Sequence, residues 1–251
     1  MLMAEYLYRR NAVLEALRSG RREHIQLWLD PKNDDKQLKA IERLAREKHI
    51  PVSRADKGRL GNLCGDGSHQ GVVLETRPYP YATIEDGLAL ARQRNEAPFF
   101  LILDLLHGMQ NIGILLRTAE ICGVHGVIVQ SRRAPDITPA VVTHSAGATE
   151  HLNIIQVNNL NQALAELKAA DIWIIGLDMD ERAQTLGQID LNMPLAIVVG
   201  HEGEGLRRLV KQNCDIILRL PMRGHVESLN AAAAGSVMLY QAWGARGFAG
   251  S

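Results

Sequence analysis

The chain has 251 residues, 46 % of them hydrophobic, and its 28 Lys/Arg balance 28 Asp/Glu. That length admits one large domain or two small ones, and the even charge excludes a strongly basic nucleic-acid footprint over the whole molecule. No apolar run approaches the roughly 20 residues of a membrane span, and the three scattered cysteines, Cys64, Cys122 and Cys214, form no CxxC metal or redox pair. They read as buried or half-buried thiols in a reducing compartment. The opening MLMAEYLYRRNAV lacks the long apolar core of a secretory signal, so the expected location is cytoplasmic.

Charge is uneven along the chain. Residues 1–78 hold 15 basic and 11 acidic side chains (+4), and residues 79–251 hold 13 and 17 (−4). The first part reads as a small α/β module. NAVLEALRSG (11–20) is a short helix closed by glycine, and IQLWLD (25–30) alternates as a strand. DDKQLKAIERLAREKHI (34–50) is an amphipathic helix, PVSRAD (51–56) starts a strand, and GVVLET resumes one after a Gly/Ser loop in 61–76. Residues 79–97 read as a linker with a short helix, and the boundary is expected near residue 80. Residues 98–251 then alternate. Apolar runs at 99–106, 126–130, 152–157, 172–179, 195–200 and 216–222 are separated by helix-like segments at 112–123, 139–149, 159–170 and 205–213. Continuous apolar strands between helices predict a parallel sheet covered on both faces, with ligands beyond the carboxyl ends of its strands.

Three loops at such ends carry unusual residues. In DLLHGMQNIGILLRTAE (104–120), Asn111 fits a plain N-cap, and Arg117 is a charge in an otherwise apolar helix that could simply face solvent. In VVGHEGEGLRRL (198–209) the spacing is GxxGxG, neither the dinucleotide fingerprint nor the phosphate loop. Glu202 and Glu204 inside it would repel pyrophosphate and suit a ligand bearing positive charge or hydroxyls, although a simple strand-to-helix turn also explains the glycines. In LPMRGHVESLNAAAAG (220–235), Ser228 and Asn230 fit helix caps, and the four alanines mark close approach of another element. The histidines, His107, His144, His201 and His225 among them, form no HxxH or HExxH pair, so no metal is expected.

Taken in order, N-x-G-x-x-x-R-T-A (111–119), G-x-E-G-x-G (200–205) and L-P-M-x-G-x-x-x-S-L-N (220–230) resemble the three signature motifs of the SpoU–TrmH family. These are RNA 2′-O-ribose methyltransferases of the SPOUT superfamily. NAVLEAL (11–17) and SHQGVVLE (68–75) are similar to the substrate-binding domain of members that modify large-subunit ribosomal RNA. The resemblance implies a parallel α/β sheet with a C-terminal trefoil knot, S-adenosylmethionine as methyl donor, an RNA substrate and a homodimer with its site near the interface. It implies domains at 1–78 (RNA binding), 79–97 (linker) and 98–251 (methyltransferase). It places Val199, Gly200, Leu220, Met222 and Leu229 at the cofactor, and Asn111, Arg117, Glu202, Ser228 and Asn230 in the catalytic and substrate-contacting set. The implied activity is 2′-O-methylation of a guanosine in large-subunit ribosomal RNA. Transfer RNA as target, or a non-catalytic RNA-binding factor of ribosome assembly, are the alternatives. The chain departs from the family in having Gly108-Met109 for the usual Asp-Pro, alanines 231–234 for Val-Ser-Val-Ala, and Arg9 or Arg10 for the glycine before NAV.

Overall fold

The computed structural model describes residues 4–33, 35–65, 68–106, 108–131, 136–180, 183–225 and 228–250. His107 and residues 226–227, inside two of the loops singled out above, lie outside these. The chain divides into two compact units. One is 1–80 with 137–151, the other 81–136 with 152–251.

In the first unit, β1 (Glu5–Tyr8), β2 (His24–Leu29), β3 (Val52–Arg54) and β4 (Val72–Thr76) form a sheet of order β1-β4-β2-β3. Only β2 and β3 run parallel. Its helices are α1 (Arg10–Ser19), α2 (Lys36–Glu47) and α3 (Lys57–Cys64). Asp35 and Asp56 cap α2 and α3 by accepting amide hydrogen bonds, and Gly20 and Gly65 close α1 and α3 in the left-handed conformation. Arg9, one of the two arginines at which the resemblance implies a glycine, carries φ 68 and ψ 144 ahead of α1, a backbone region where glycine is at ease and other residues are strained.

Residues 137–151, expected as part of the second domain, supply α6 (Pro139–His144) and a 3-10 turn (Ala148–His151) to this first unit. The attachment is polar and buried. Arg22 lies between Glu5 and Glu150, its guanidinium over the Tyr79 ring. The Tyr79 hydroxyl donates to the Thr149 carbonyl at 3.0 Å, and the Thr143 hydroxyl to the Tyr8 carbonyl at 3.1 Å.

The second unit is the expected parallel sheet. Its strands are β5 (Phe99–Leu103), β6 (Gly126–Gln130), β7 (Ile154–Val157), β8 (Trp173–Leu177), β9 (Gln184–Thr185), β10 (Leu195–Val199) and β11 (Ile216–Arg219). The order is β7-β6-β5-β10-β8-β11-β9, and every pairing is parallel. All ten residues of β5 and β10 are buried, as central strands covered on both faces must be. The helices are α4 (Ile84–Arg94), α5 (Met109–Ile121), α7 (Leu160–Ala169), α8 (Arg208–Asn213) and α9 (Ala231–Ala245). α4 occupies the stretch expected as a linker and begins in a Thr83–Asp86 capping box. Chain order reverses at β5 and β10, so the loops after β5, β8, β10 and β11 collect at one end of the sheet. No helix among the described residues is long and apolar enough to cross a membrane.

Candidate active site

Beyond the carboxyl ends of β8, β10 and β11 lies a cavity of about 620 Å³. Val199, Gly200, Leu220, Met222 and Leu229 all line it, as do Glu202, Ser228 and Asn230. Its apolar walls come from strand ends and the 220–230 loop. Its polar side chains include Asp178, His201, Glu202, Glu204, Arg219, Ser228 and Asn230, beside the backbone of the 200–205 turn.

That turn is a tight loop in which the His201 and Gly205 amide and carbonyl groups exchange hydrogen bonds, each 3.0 Å long. Gly200 has no room for a side chain, because a Cβ would sit 2.4 Å from the Gly205 carbonyl oxygen. Two carboxylates hold the turn from its flanks. Asp104, fully buried after β5, accepts from the Arg207 amide at 3.0 Å and from Arg207 Nε at 2.6 Å. Asp178, after β8, accepts from the Leu206 amide at 3.2 Å and from Lys211 Nζ at 3.0 Å. Arg207 reaches on to Gln130 Oε1 at 3.0 Å. Burial works against the charge on Lys211, but its hydrogen bonds to Asp180 and Asp178 outweigh that and raise its pKa.

The three motif loops meet in one hydrogen-bonded group. Asn111 Nδ2 donates to Glu202 Oε2 at 2.9 Å, and Asn230 Nδ2 donates to Glu202 Oε1 at 2.7 Å and to Asn111 Oδ1 at 3.2 Å. Asn230 is also the cap of α9, since its Oδ1 accepts from the Ala232 and Ala233 amides. Capping and site contact are therefore one arrangement there. The plain cap reading of Asn111 does not hold: Gly108 takes the cap position of α5, and Asn111 sits a turn inside and reaches across to Glu202. Gly108 itself has φ −71, and among the described residues of this loop the left-handed one is Leu105, at φ 58. A leucine held there stores strain beside the site.

Ser228 is exposed on the cavity and makes no hydrogen bond among the described residues. Arg117 is not brought to the cavity. It lies on the exposed face of α5 in line with Ile114 and Ile121, without a hydrogen bond or ion pair among the described residues. Burial pushes the Cys122 and Cys214 thiols up to about 12, which keeps both protonated and unreactive, and no cysteine is in a disulfide. Asp104, Asp178 and Arg207 were not among the residues expected from sequence. The available signal was a lone carboxylate directly after an apolar strand, in FFLILD and IWIIGLD.

Comparison with known proteins bears on what this site does. Residues 98–240 match the model of the SpoU rRNA Methylase family, and residues 6–82 match that of the RNA 2′-O ribose methyltransferase substrate-binding domain. YacO of Bacillus subtilis, named for the TrmH family of tRNA/rRNA methyltransferases, is 39 % identical over 95 % of both chains. Among solved structures, the SpoU methyltransferase AviRb of Streptomyces viridochromogenes with AdoMet superposes with a TM-score of 0.78, at 24 % identity over 99 % of this chain and 92 % of that one. The TrmH/SpoU tRNA modifying enzyme of A. aeolicus covers 66 % of this chain and 86 % of its own, with a TM-score of 0.55 and 23 % identity. Matched over most of its length by the methylase model and end to end by a TrmH relative, the chain belongs to the SpoU/TrmH family of RNA methyltransferases.

Proposed function

We propose that this S-adenosylmethionine-dependent RNA methyltransferase methylates a ribose 2′-hydroxyl, and that its target is a guanosine of large-subunit ribosomal RNA. The observation carrying this reading is the Asn111–Glu202–Asn230 group, in which three separate motif loops close on one side of the cavity. The cavity residues fit the cofactor. Val199, Leu220, Met222 and Leu229 offer apolar walls for an adenine ring, with Gly200 lining the cavity and carboxylates for hydroxyls and positive charge. When bound, S-adenosylmethionine supplies a sulfonium methyl to in-line displacement by the 2′-hydroxyl. Asn111 and Asn230 fix Glu202, and Ser228 offers a free hydroxyl to the substrate. Arg117 orients the ribose or an adjacent phosphate and stabilises the oxygen as its proton leaves. A guanidinium holds its own protons too tightly to act as the base.

Ribosomal RNA is favoured over transfer RNA by the substrate-binding module at 6–82 and by the methylase model's own rRNA description. The tRNA-modifying neighbour aligns with only 66 % of this chain. A homodimer is supported by the exposed apolar stripe of Ile114, Ile121, Val237 and Tyr240 on α5 and α9, the same surface that carries Arg117. The return of α9 from β11 to pack on α5 and β10 supports a C-terminal segment threaded as a knot. Arg117→Ala tests the core of the reading. Methyl transfer should fall by about 100-fold or more while S-adenosylmethionine affinity stays within about twofold. Near-normal turnover would remove Arg117 from the mechanism. Mapping 2′-O-methyl sites in total RNA with and without the protein distinguishes ribosomal from transfer RNA. A protein that binds no S-adenosylmethionine would instead be an RNA-binding factor.

A further inference from the structure

The charges around the cavity are unequal. Among the described residues, three carboxylates line it, Asp178, Glu202 and Glu204, against one guanidinium, Arg219. Asp178 is matched by Lys211 at 3.0 Å. Glu202 is held by two neutral amides, which fix it without cancelling its charge. Glu204 is exposed and has no hydrogen bond or ion pair among the described residues. Nothing in the local fold requires it: the turn is closed by backbone hydrogen bonds at His201 and Gly205, and the motif G-x-E-G-x-G leaves position 204 open.

The ligand pair that passes through this cavity differs by one charge. The donor carries a sulfonium, an ammonium and a carboxylate, net +1. After methyl transfer the sulfur is a neutral thioether, and S-adenosylhomocysteine is net zero. A fixed negative charge on the cavity wall therefore acts on the donor and has almost nothing to act on in the product. We propose that Glu204 is a specificity residue for the cofactor, an unpaired carboxylate that favours the cationic donor over its neutral product and so eases product exchange. The inference rests on the cofactor reading above and concerns one side chain of this particular chain.

The test is direct binding by calorimetry, without RNA or turnover, to the full-length protein and to Glu204→Gln and Glu204→Lys. The probes are S-adenosylmethionine, S-adenosylhomocysteine and the cationic amine analogue sinefungin. Glu204→Gln should weaken S-adenosylmethionine and sinefungin roughly threefold, the attraction of one charge across several ångströms of solvent-like medium. S-adenosylhomocysteine should stay within about 1.5-fold, Glu204→Lys should roughly square the effect on the cations, and about 0.5 M salt should shrink both. Equal weakening of all three probes, or none, overturns the proposal while leaving the cofactor reading intact. Failure of the unaltered protein to bind either adenosyl compound overturns the cofactor reading itself. Position 204 is exposed, so these variants should fold, and matched thermal unfolding curves establish it.

Discussion

Removing the Asp104 carboxylate should both destabilise the second unit and loosen the 200–205 turn. Asp104 has no solvent exposure and receives two hydrogen bonds from one residue, the Arg207 amide at 3.0 Å and Nε at 2.6 Å. Breaking a buried ion pair by deleting one partner costs about 3–5 kcal/mol, because the survivor is left uncompensated. The Arg207 side chain is 27 % exposed, so water recovers part of that, and its link to Gln130 remains. We therefore expect Asp104→Ala to cost about 2–4 kcal/mol, lowering Tm by roughly 5–15 °C for a unit of this size. Asp104→Asn keeps one acceptor and should cost about half as much. Arg207 directly follows the 200–206 turn, so S-adenosylmethionine affinity should fall roughly tenfold in the alanine variant. Thermal unfolding and equilibrium dialysis read the two effects. A double-mutant cycle with Arg207→Met should give a coupling of about 1–3 kcal/mol. An alanine variant with Tm within about 1 °C and affinity within about twofold of the parent would refute the clamp; strict additivity in the cycle would refute the pairing.

Gly200→Ala should all but abolish cofactor binding, because its Cβ would meet the Gly205 carbonyl oxygen at 2.4 Å and the obstacle is backbone, which cannot rotate aside. Dialysis should show at least a tenfold loss of affinity, with an overpacking cost of about 1–3 kcal/mol, and retained binding would show that the turn relaxes freely. Acid sensitivity should come partly from two histidines. Burial is the first cause that holds His24 and His125 below their ordinary 6.5, reinforced at His24 by Lys48 and opposed at His125 by Glu96. A depressed pKa means the folded state prefers the neutral ring, so this stability is fully present above pH 6.5 and is lost as pH falls from there through the folded values. Urea midpoints should drop between about pH 7 and 5, less steeply in His125→Asn; identical slopes in the two proteins would count against the His125 contribution.

The parallel sheet was legible because strands buried on both faces leave continuous apolar runs, and FFLIL and LAIVV of β5 and β10 are of that kind. β1 was missed because EYLY does not alternate inside and outside and gains its place only by pairing with β4. α3 was missed because KGRLGNLC carries two glycines, and its ends are fixed by Asp56 and Gly65 rather than by propensity. The insertion of β10 between β5 and β8 leaves no local trace either. The attachment of 137–151 to the first unit rests on Arg22 meeting Glu150, residues 128 positions apart. In the site, each loop was visible but the links between loops were not. Asn111 has a local interpretation as a cap, and only the fold brings Glu202, 91 residues away, to its amide.

The four alanines after Asn230 belong to the same problem of linking loops. Ala231 and Ala234 line the cavity, and Ala232 is completely buried with its amide on Asn230. Directly after the four alanines, a Cβ at Gly235 would lie 2.5 Å from Leu115 on α5 and 3.0 Å from Val199 on β10. The first turn of α9 is thus pressed between the cavity on one side and the central strand and α5 on the other. Small side chains are what permit that spacing. The spacing in turn sets where Asn230 stands, and Asn230 uses its oxygen on the helix and its amide on Glu202 and Asn111. A bulkier residue at 232 would push the helix outward and carry the asparagine with it. In the Val-Ser-Val-Ala continuation that the motif resemblance implies, position 232 would be serine. Its burial here means that a hydroxyl at this point would face the interior and need a partner there, so the alanine acts on how α9 packs before it acts on substrate.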